Sequence, residues 1–123
     1  LESFAYVKGK IVNYDNGSGF VFDCRGLSNP VTVAELSELT GLDPEVIEFF
    51  NNDDEAVAFA GDCTNIIRNS LPMMRRKGIV NIHAAFGCVG GHHRSVWSAE
   101  RVALMLSAMP GVEVSVKHTA LEE

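Results

Sequence analysis

The stretch between residues 79 and 109 constrains the fold of this chain more than any other. It passes from an apolar run, Ile79–Phe86, through the loop Gly87-Cys-Val-Gly-Gly-His-His-Arg-Ser95 into a segment with apolar residues at three- and four-residue spacing. The apolar run predicts a buried strand, and the spacing predicts a helix from Arg94 to about Met109. A strand, a short loop and a helix in this order form the repeating unit of parallel sheets.

Strand-like and helix-like segments alternate along the rest of the chain. Strands are predicted around Phe4 and Tyr6 with a continuation over Ile11–Tyr14, at Phe20–Arg25, and over Val112–Val116 up to Lys117-His118. Helices are predicted over Val33–Leu39 after Thr32, from Pro44 after Asp43, and from Asp53 or Asp54 to Gly78 with a kink or restart at Pro72. Right-handed crossovers make such successive strands parallel. We therefore predict a single α/β domain over residues 1–123, with a mostly parallel central sheet of about four strands flanked by helices.

Charge and cysteine content narrow the class of protein. The formal net charge of −6 argues against the cationic face that strong nucleic-acid binding requires. Cys24, Cys63 and Cys88 are an odd number of cysteines without a disulfide framework, which predicts a reducing, cytoplasmic setting. No apolar run is long enough to cross a membrane. A start at Leu1 rather than Met is expected of a domain excised from a longer protein.

Polar residues follow three of the predicted strands. Asp23 and Arg25 end one strand, the 87–95 loop follows the next, and His118 ends the last. Ligands of parallel α/β sheets bind beyond the carboxyl ends of the strands, so we place the site there.

The 87–95 loop has the chemistry of an anion site. Gly90 and Gly91 allow close approach of the backbone, and the first N–H groups of the helix lack intrahelical partners. Arg94 adds a guanidinium that we expect to be exposed until a ligand binds, and Ser95 adds a hydroxyl. The loop is neither a Walker A sequence nor a Rossmann fingerprint. We therefore predict that it binds a phosphorylated small molecule or another oxyanion.

The predicted contacts fall into two groups. The loop group holds the phosphate and comprises Cys88, Val89, Gly90, Gly91, His92, His93, Arg94 and Ser95. The second group contacts a sugar or the far side of the phosphate and comprises Asp23, Arg25, Asn29 and His118.

A second interpretation of the same loop is catalytic. Cys88, Gly91, Arg94 and Ser95 form C-x-x-G-x-x-R-S, the pattern of cysteine-dependent phosphatases. There a thiolate attacks phosphorus while the arginine and loop amides hold the oxygens. Gly87 stands where those enzymes usually have histidine, and only Asp23 or Asp15 can be nominated as the general acid.

A third interpretation is a metal site. The potential soft ligands are Cys24, Cys88, His83, His92, His93 and His118. They show no tight C-x-x-C or H-x-x-x-H spacing, so we predict no metal, and nothing in the sequence calls for a cofactor.

Several blocks of the sequence resemble the RapZ C-terminal domain family of bacterial proteins. They are Phe20-Val-Phe-Asp-Cys-Arg-Gly-Leu-Ser-Asn-Pro30, Leu39-Thr-Gly-Leu-Asp43, Leu71-Pro-Met-Met74, Gly87–Ser95 with Ala99-Glu100, and Lys117-His118 before Leu121-Glu122. The similarity begins near Ser3 and covers nearly the whole chain in order.

The resemblance implies properties that composition does not show. It implies a fold similar to a phosphofructokinase subdomain, recognition of glucosamine-6-phosphate, self-association, and presentation of a small RNA to an endoribonuclease. A P-loop ATPase domain precedes this domain in the full-length family, and this sequence contains no P-loop. Thr119, Ala120, Glu122 and Glu123 stand where the family has basic residues for RNA. We therefore expect ligand sensing to carry over and do not expect RNA binding to do so.

Overall fold

A computed structural model describes residues 1–8 and 19–122. The strands are β1 (Glu2–Ala5), β2 (Phe20–Asp23), β3 (Ala84–Cys88) and β4 (Lys117–His118). The helices are α1 (Pro44–Asn51), α2 (Asp54–Arg76) and α3 (Arg94–Ser107), with short 3-10 turns at Tyr6–Lys8 and Pro30–Thr32. None of these helices is long and apolar enough to span a membrane.

The four strands form one sheet in the order β2-β3-β1-β4, and every pairing is parallel. The predicted α/β class with a mostly parallel sheet is therefore confirmed. β3 is buried along its whole length because β1 and β2 pair with its two edges. The loop that follows β3 consequently starts from the centre of the sheet.

The α helices begin where their local sequence predicts. Asp43 precedes α1, and Pro44 occupies its first turn, where the missing N–H costs nothing. Asp53 caps α2, because its side chain accepts hydrogen bonds from the amides of Glu55 and Ala56. α2 continues through Pro72 to Arg76, so the predicted restart at this proline does not occur.

Three predicted element positions are wrong. The central strand is Ala84–Cys88 rather than Ile79–Phe86, because its backbone partners, Phe20–Asp23 and Glu2–Ala5, face only these later residues. Residues 33–39 form turns instead of a helix, and Asn29, not Thr32, caps the nearby 3-10 turn. Residues 112–116 do not pair, because β1 offers only Glu2 and Ser3 to β4. The strand predicted over 11–14 lies outside the described residues.

The core packs α3 against β3 and β1, and packs α1 and α2 against α3. Phe50 of α1 stacks on Trp97 of α3 with ring centroids 5.1 Å apart, and the Trp97 indole N–H donates to Asn51 at 3.3 Å. Phe86 of β3 and Val96 of α3 are fully buried. This packing fixes the first turn of α3, and with it the end of the glycine-rich loop.

Candidate functional site

The carboxyl ends of β1, β2 and β3 lie side by side. Gly87 of β3 is in register with Phe4 of β1 and with Asp23 of β2. The amide of Cys24 donates to the carbonyl of Gly87 at 2.7 Å, which holds the segment after β2 against β3. The structure thus brings the Asp23–Arg25 segment next to the loop.

The loop backbone turns at Gly91. Its φ is +71°, and a Cβ there would lie 2.6 Å from the Cβ of Ala120 and 2.9 Å from that of Ala5. Both the conformation and the close approach therefore exclude a side chain. A Cβ at Gly90 would meet nothing within 4 Å, so this side of the loop is open.

Backbone donors collect at the start of α3. His93 is the N-cap residue, and its side chain makes no capping hydrogen bond. The backbone amides of Gly90, Gly91 and His92 donate no hydrogen bond to any described residue. The first amides of a helix carry a partial positive charge and favour an anion. An oxyanion at this position could accept hydrogen bonds from these N–H groups.

Arg94 is buried, contrary to the expectation that it is exposed. Only 7% of the residue is accessible. Its Nη1 donates to the carbonyl of Arg25 at 2.7 Å and to that of Leu27 at 3.5 Å. The prediction is wrong because the turn after β2 presents backbone carbonyls that need donors, and the guanidinium supplies them. Arg94 therefore links α3 to the segment that carries Arg25.

Asp23 and Arg25 form a bidentate pair on the surface. Arg25 Nη2 donates to Asp23 Oδ2 at 2.7 Å and Nε to Oδ1 at 2.9 Å, while the Arg25 amide also donates to Oδ1 at 2.9 Å. These hydrogen bonds from the Arg25 side chain and backbone lower the pKa of Asp23. Asp23 is thus an ionised carboxylate that orients Arg25.

Tyr6 belongs to this cluster, although the sequence analysis treated it only as part of a strand. The Arg25 guanidinium carbon lies 4.2 Å from the centroid of the Tyr6 ring. Burial raises the pKa of the Tyr6 phenol, the Asp23 carboxylate acts in the same direction, and Arg25 opposes them. The only early signal was an aromatic residue at the end of a predicted strand, which is too common to indicate a site.

Cys88 and Ser95 contact each other inside the loop. The Cys88 thiol donates to Ser95 Oγ at 3.2 Å, and the Ser95 amide donates to Cys88 Sγ at 3.4 Å. Both residues are buried. These contacts close the base of the loop. The nearby Cys24 is also buried, and burial raises the pKa of its thiol to about 12.

The adjacent histidines of the loop differ in environment. His92 is exposed, and its carbonyl accepts a hydrogen bond from the Gly41 amide at 2.8 Å. His93 is buried, and burial lowers its pKa, while the backbone carbonyls of Leu39 and Leu36 act in the opposite direction. His93 Nε2 has no hydrogen-bond partner among the described residues. His92 is consequently the histidine that faces solvent at the loop.

His118 and Asn29 make structural hydrogen bonds. His118 Nδ1 is hydrogen-bonded to Ser3 Oγ at 2.6 Å, and its Nε2 to Glu100 Oε2 at 2.9 Å. Asn29 Oδ1 accepts from the Val31 amide at 3.2 Å. Both ring nitrogens of His118 are therefore already engaged, and its link to the loop runs through the backbone that carries Ala120.

Metal ligands do not converge in the described part of the chain. Residues 1–8 and 19–122 contain no group of three or more histidine, cysteine, aspartate or glutamate side chains that could hold an ion. Asp15, the alternative general acid of the phosphatase interpretation, lies outside these residues.

A cavity of about 610 Å³ opens at the other end of the sheet, where β1 and β3 begin. Aliphatic side chains such as Ile67, Leu71 and Leu106 supply much of its lining. Its cation, Arg75, lies close to the backbone carbonyl of Gly111. None of the predicted ligand-binding residues lines this cavity.

Comparison with known proteins identifies relatives over the whole chain. A nucleotide-binding protein of Ruegeria pomeroyi is 37% identical over 122 residues, which cover 99% of this chain and 41% of that protein. Nucleotide-binding proteins of Haemophilus ducreyi and Nitrosomonas europaea are 36% and 38% identical over 123 residues, again covering 41% of their length. The chain thus spans about two fifths of these relatives. The family model for the RapZ C-terminal domain matches residues 1–122, and the chain belongs to this family.

Proposed function

We propose that this chain binds a small phosphorylated ligand, a phosphosugar, at the loop of residues 88–95 and senses its concentration. The observation that carries the proposal is the start of α3, which has no side-chain cap and lies beside loop amides that have no acceptor among the described residues. A helix start in this state is stabilised by an anion that accepts from its N–H groups.

The charges around the loop also favour a phosphate. Arg25 and Arg94 contribute two positive charges and Asp23 one negative charge, so the cluster is cationic in a chain whose net charge is −6. A phosphate group is divalent near neutral pH and matches both the guanidinium groups and the backbone donors. Of the two arginines, Arg25 has the exposed side chain and is available to contact the ligand.

The relatives support a ligand that carries phosphate. Their names describe them as nucleotide-binding proteins. Nucleotides and sugar phosphates share the phosphate group, and the family resemblance points to an amino sugar phosphate. Because the chain covers only two fifths of those relatives, we propose that a partner or a fused domain reads the bound state.

Calorimetric titration tests the proposal. Glucosamine-6-phosphate, glucosamine, inorganic phosphate and adenosine monophosphate are titrated separately into the protein. We expect glucosamine-6-phosphate to bind more tightly than inorganic phosphate, and glucosamine not to bind, because the phosphate supplies the charged hydrogen bonds. Equal affinity for glucosamine and its phosphate would remove the loop from the function. Preference for the nucleotide would keep the site and change the ligand class.

Phosphatase activity is the second candidate. The observation in its favour is the Ser95 amide, which donates to Cys88 Sγ as it would to a thiolate. Burial of the sulfur opposes it, because the nucleophile has to reach the phosphorus atom. Asp23 is also committed to Arg25 and is a weak general acid at a lowered pKa. Binding without hydrolysis is therefore the better supported function.

A further inference from the structure

We propose that Tyr6 is a positioning residue of the ligand site. Its ring lies over Gly87 and stacks on the Arg25 guanidinium, which it holds in place for an anion. The inference rests on the proposed function and deepens it, since it assigns a role to a residue outside the loop and outside the strand ends considered so far.

The contact spans three strands. Tyr6 follows β1 and Arg25 follows β2, yet β3 lies between these strands in the sheet. The ring of Tyr6 must therefore lie over β3 to reach the guanidinium carbon, 4.2 Å from its centroid. The last β3 residue in register with both neighbouring strands is Gly87.

Gly87 is the residue that leaves room for this crossing. A Cβ at this position would lie 2.6 Å from Tyr6 Cε2 and would also collide with the ring of Phe4. The two rings pack edge to face with their centroids 4.8 Å apart, so neither can move away freely. The absence of a side chain at Gly87 thus serves the aromatic contact, whereas Gly91 serves the turn of the loop.

The stack and the ion pair together leave part of the guanidinium free. Asp23 accepts from Nε and Nη2 of Arg25, and the Tyr6 ring covers one of its faces. Arg25 Nη1 donates no hydrogen bond to any described residue, so this donor remains for a ligand. An exposed arginine normally loses rotamer freedom when it binds, and a prior constraint reduces that cost.

The Tyr6 ring contributes by its face rather than by its hydroxyl. A guanidinium over an aromatic face is attracted by the ring quadrupole, and phenylalanine retains that face. Tyr6→Phe should therefore keep the affinity for ligand, whereas Tyr6→Leu should lose it. This pair of variants separates stacking from any hydrogen bond that the phenol makes.

The test measures the affinity of glucosamine-6-phosphate and of inorganic phosphate by calorimetry for wild type, Tyr6→Phe, Tyr6→Leu, Arg25→Ala and the double variant Tyr6→Leu/Arg25→Ala. We expect Tyr6→Leu to bind about two- to fivefold more weakly, the range of an exposed cation–π contact. In the Arg25→Ala background Tyr6→Leu should not weaken binding further, because Tyr6 acts on the ligand only through Arg25.

The outcomes distinguish the inference from the function on which it rests. If wild type binds glucosamine-6-phosphate and Tyr6→Leu binds equally well, the positioning role is wrong and the proposed function stands. An equal loss in both backgrounds also overturns the role, because it shows an effect independent of Arg25. If wild type binds no phosphorylated compound, both fall. Should Tyr6→Leu melt below the assay temperature, Tyr6→Met provides the same comparison with a flexible apolar side chain.

Discussion

The starts of α2 and α3 are built in opposite ways. At α2, Asp53 accepts from the amides of Glu55 and Ala56 at 3.1 and 3.3 Å, and the first turn carries Asp54 and Glu55. At α3, His93 makes no side-chain cap, and the first turn contains no acidic residue. The start of α2 therefore satisfies its own N–H groups and dipole. At α3 the Ser95 amide donates to Cys88 Sγ, but no side-chain cap and no acidic residue offset the other first-turn amides and the dipole.

We propose that the difference separates a structural helix start from one that binds a ligand. The cap of α2 uses neighbouring residues only, so it forms wherever the helix forms. The start of α3 instead adjoins a cationic cluster that the sheet brings together from β2 and the loop. Negative charge is supplied locally at α2, and we propose that a ligand supplies it at α3.

Replacement of Arg94 should change phosphate affinity and stability more than any other substitution at these two helix starts. We expect Arg94→Ala to weaken phosphate binding by about 1.5–3 kcal/mol, because a charged donor is lost and the Arg25 segment is released. Arg94→Ala should also lower the free energy of unfolding by about 1–3 kcal/mol, since the carbonyl of Arg25 loses its hydrogen-bond donor. Loss of an exposed arginine would not have this effect. Calorimetry and urea denaturation measure the two effects. Arg76→Ala, at the exposed end of α2, is the matched control and should change neither.

Removing the α2 cap should affect stability alone. Asp53→Ala is expected to lower the free energy of unfolding by about 0.5–2 kcal/mol, because two amides lose their acceptor. Ligand affinity should remain that of wild type. Asp53→Asn, which retains an acceptor, serves as the control. If Asp53→Ala also weakens ligand binding, the two helix starts are coupled and the contrast between them is not valid.

Adding an acidic side chain at the start of α3 should make it resemble α2. His92 is exposed just before the N-cap, so His92→Asp places a carboxylate near the free amides. We expect the free energy of unfolding to rise by about 0.3–1 kcal/mol and phosphate binding to weaken by a comparable amount. His92→Asn separates the effect of charge from that of side-chain size. Tighter phosphate binding by His92→Asp would place the anion elsewhere.

Cysteine substitution tests whether the α3 start serves binding or catalysis. We expect neither wild type nor Cys88→Ser to hydrolyse p-nitrophenyl phosphate, and we expect Cys88→Ser to retain the ligand. A thiol that donates to Ser95 is a structural group rather than a nucleophile. Cys63→Ala, on α2, is the control for loss of a buried cysteine. Turnover that depends on Cys88 but not on Cys63 would make phosphatase the first candidate.

We expect no strong RNA binding at the start of α2 or at the start of α3. At physiological salt we expect no affinity for structured RNA tighter than about micromolar, because a net charge of −6 leaves few phosphate contacts. Filter binding over a series of salt concentrations measures this. Arg75, Arg76 and Lys77 form the densest cationic run, and their joint replacement by alanine should change little. Nanomolar binding with a steep salt dependence would show that assembled copies create a basic surface.

Local sequence was sufficient for the three α helices and for the order of strands and helices along the chain. Asp53 and the apolar spacing of α2 predict its start because a cap and its amides lie within three residues of each other. Asp43 and Pro44 predict the start of α1, although the predicted cap does not form, because the Asp43 side chain accepts from the Thr40 amide instead. The strand, glycine-rich loop and helix around residues 84–107 predict a parallel unit for the same reason. The helix predicted over 33–39 is wrong, because Asn29 rather than Thr32 caps the nearby turn and the Gly41 amide donates to the His92 carbonyl of the loop.

The tertiary structure decided which side chains remain available to a ligand. Arg94 is buried by carbonyls 67 and 69 positions away, and both nitrogens of His118 are engaged by Ser3 and Glu100. Arg25 keeps an unbonded Nη1 because Asp23 accepts from its Nε and Nη2, while Tyr6 reaches its guanidinium over Gly87, across an intervening strand. The sequence by itself thus determined the sheet, the helices and the position of the loop, since these depend on periodicity and on contacts between near neighbours. Which arginine faces solvent depends on contacts between distant segments, and these exist only after the strands have paired.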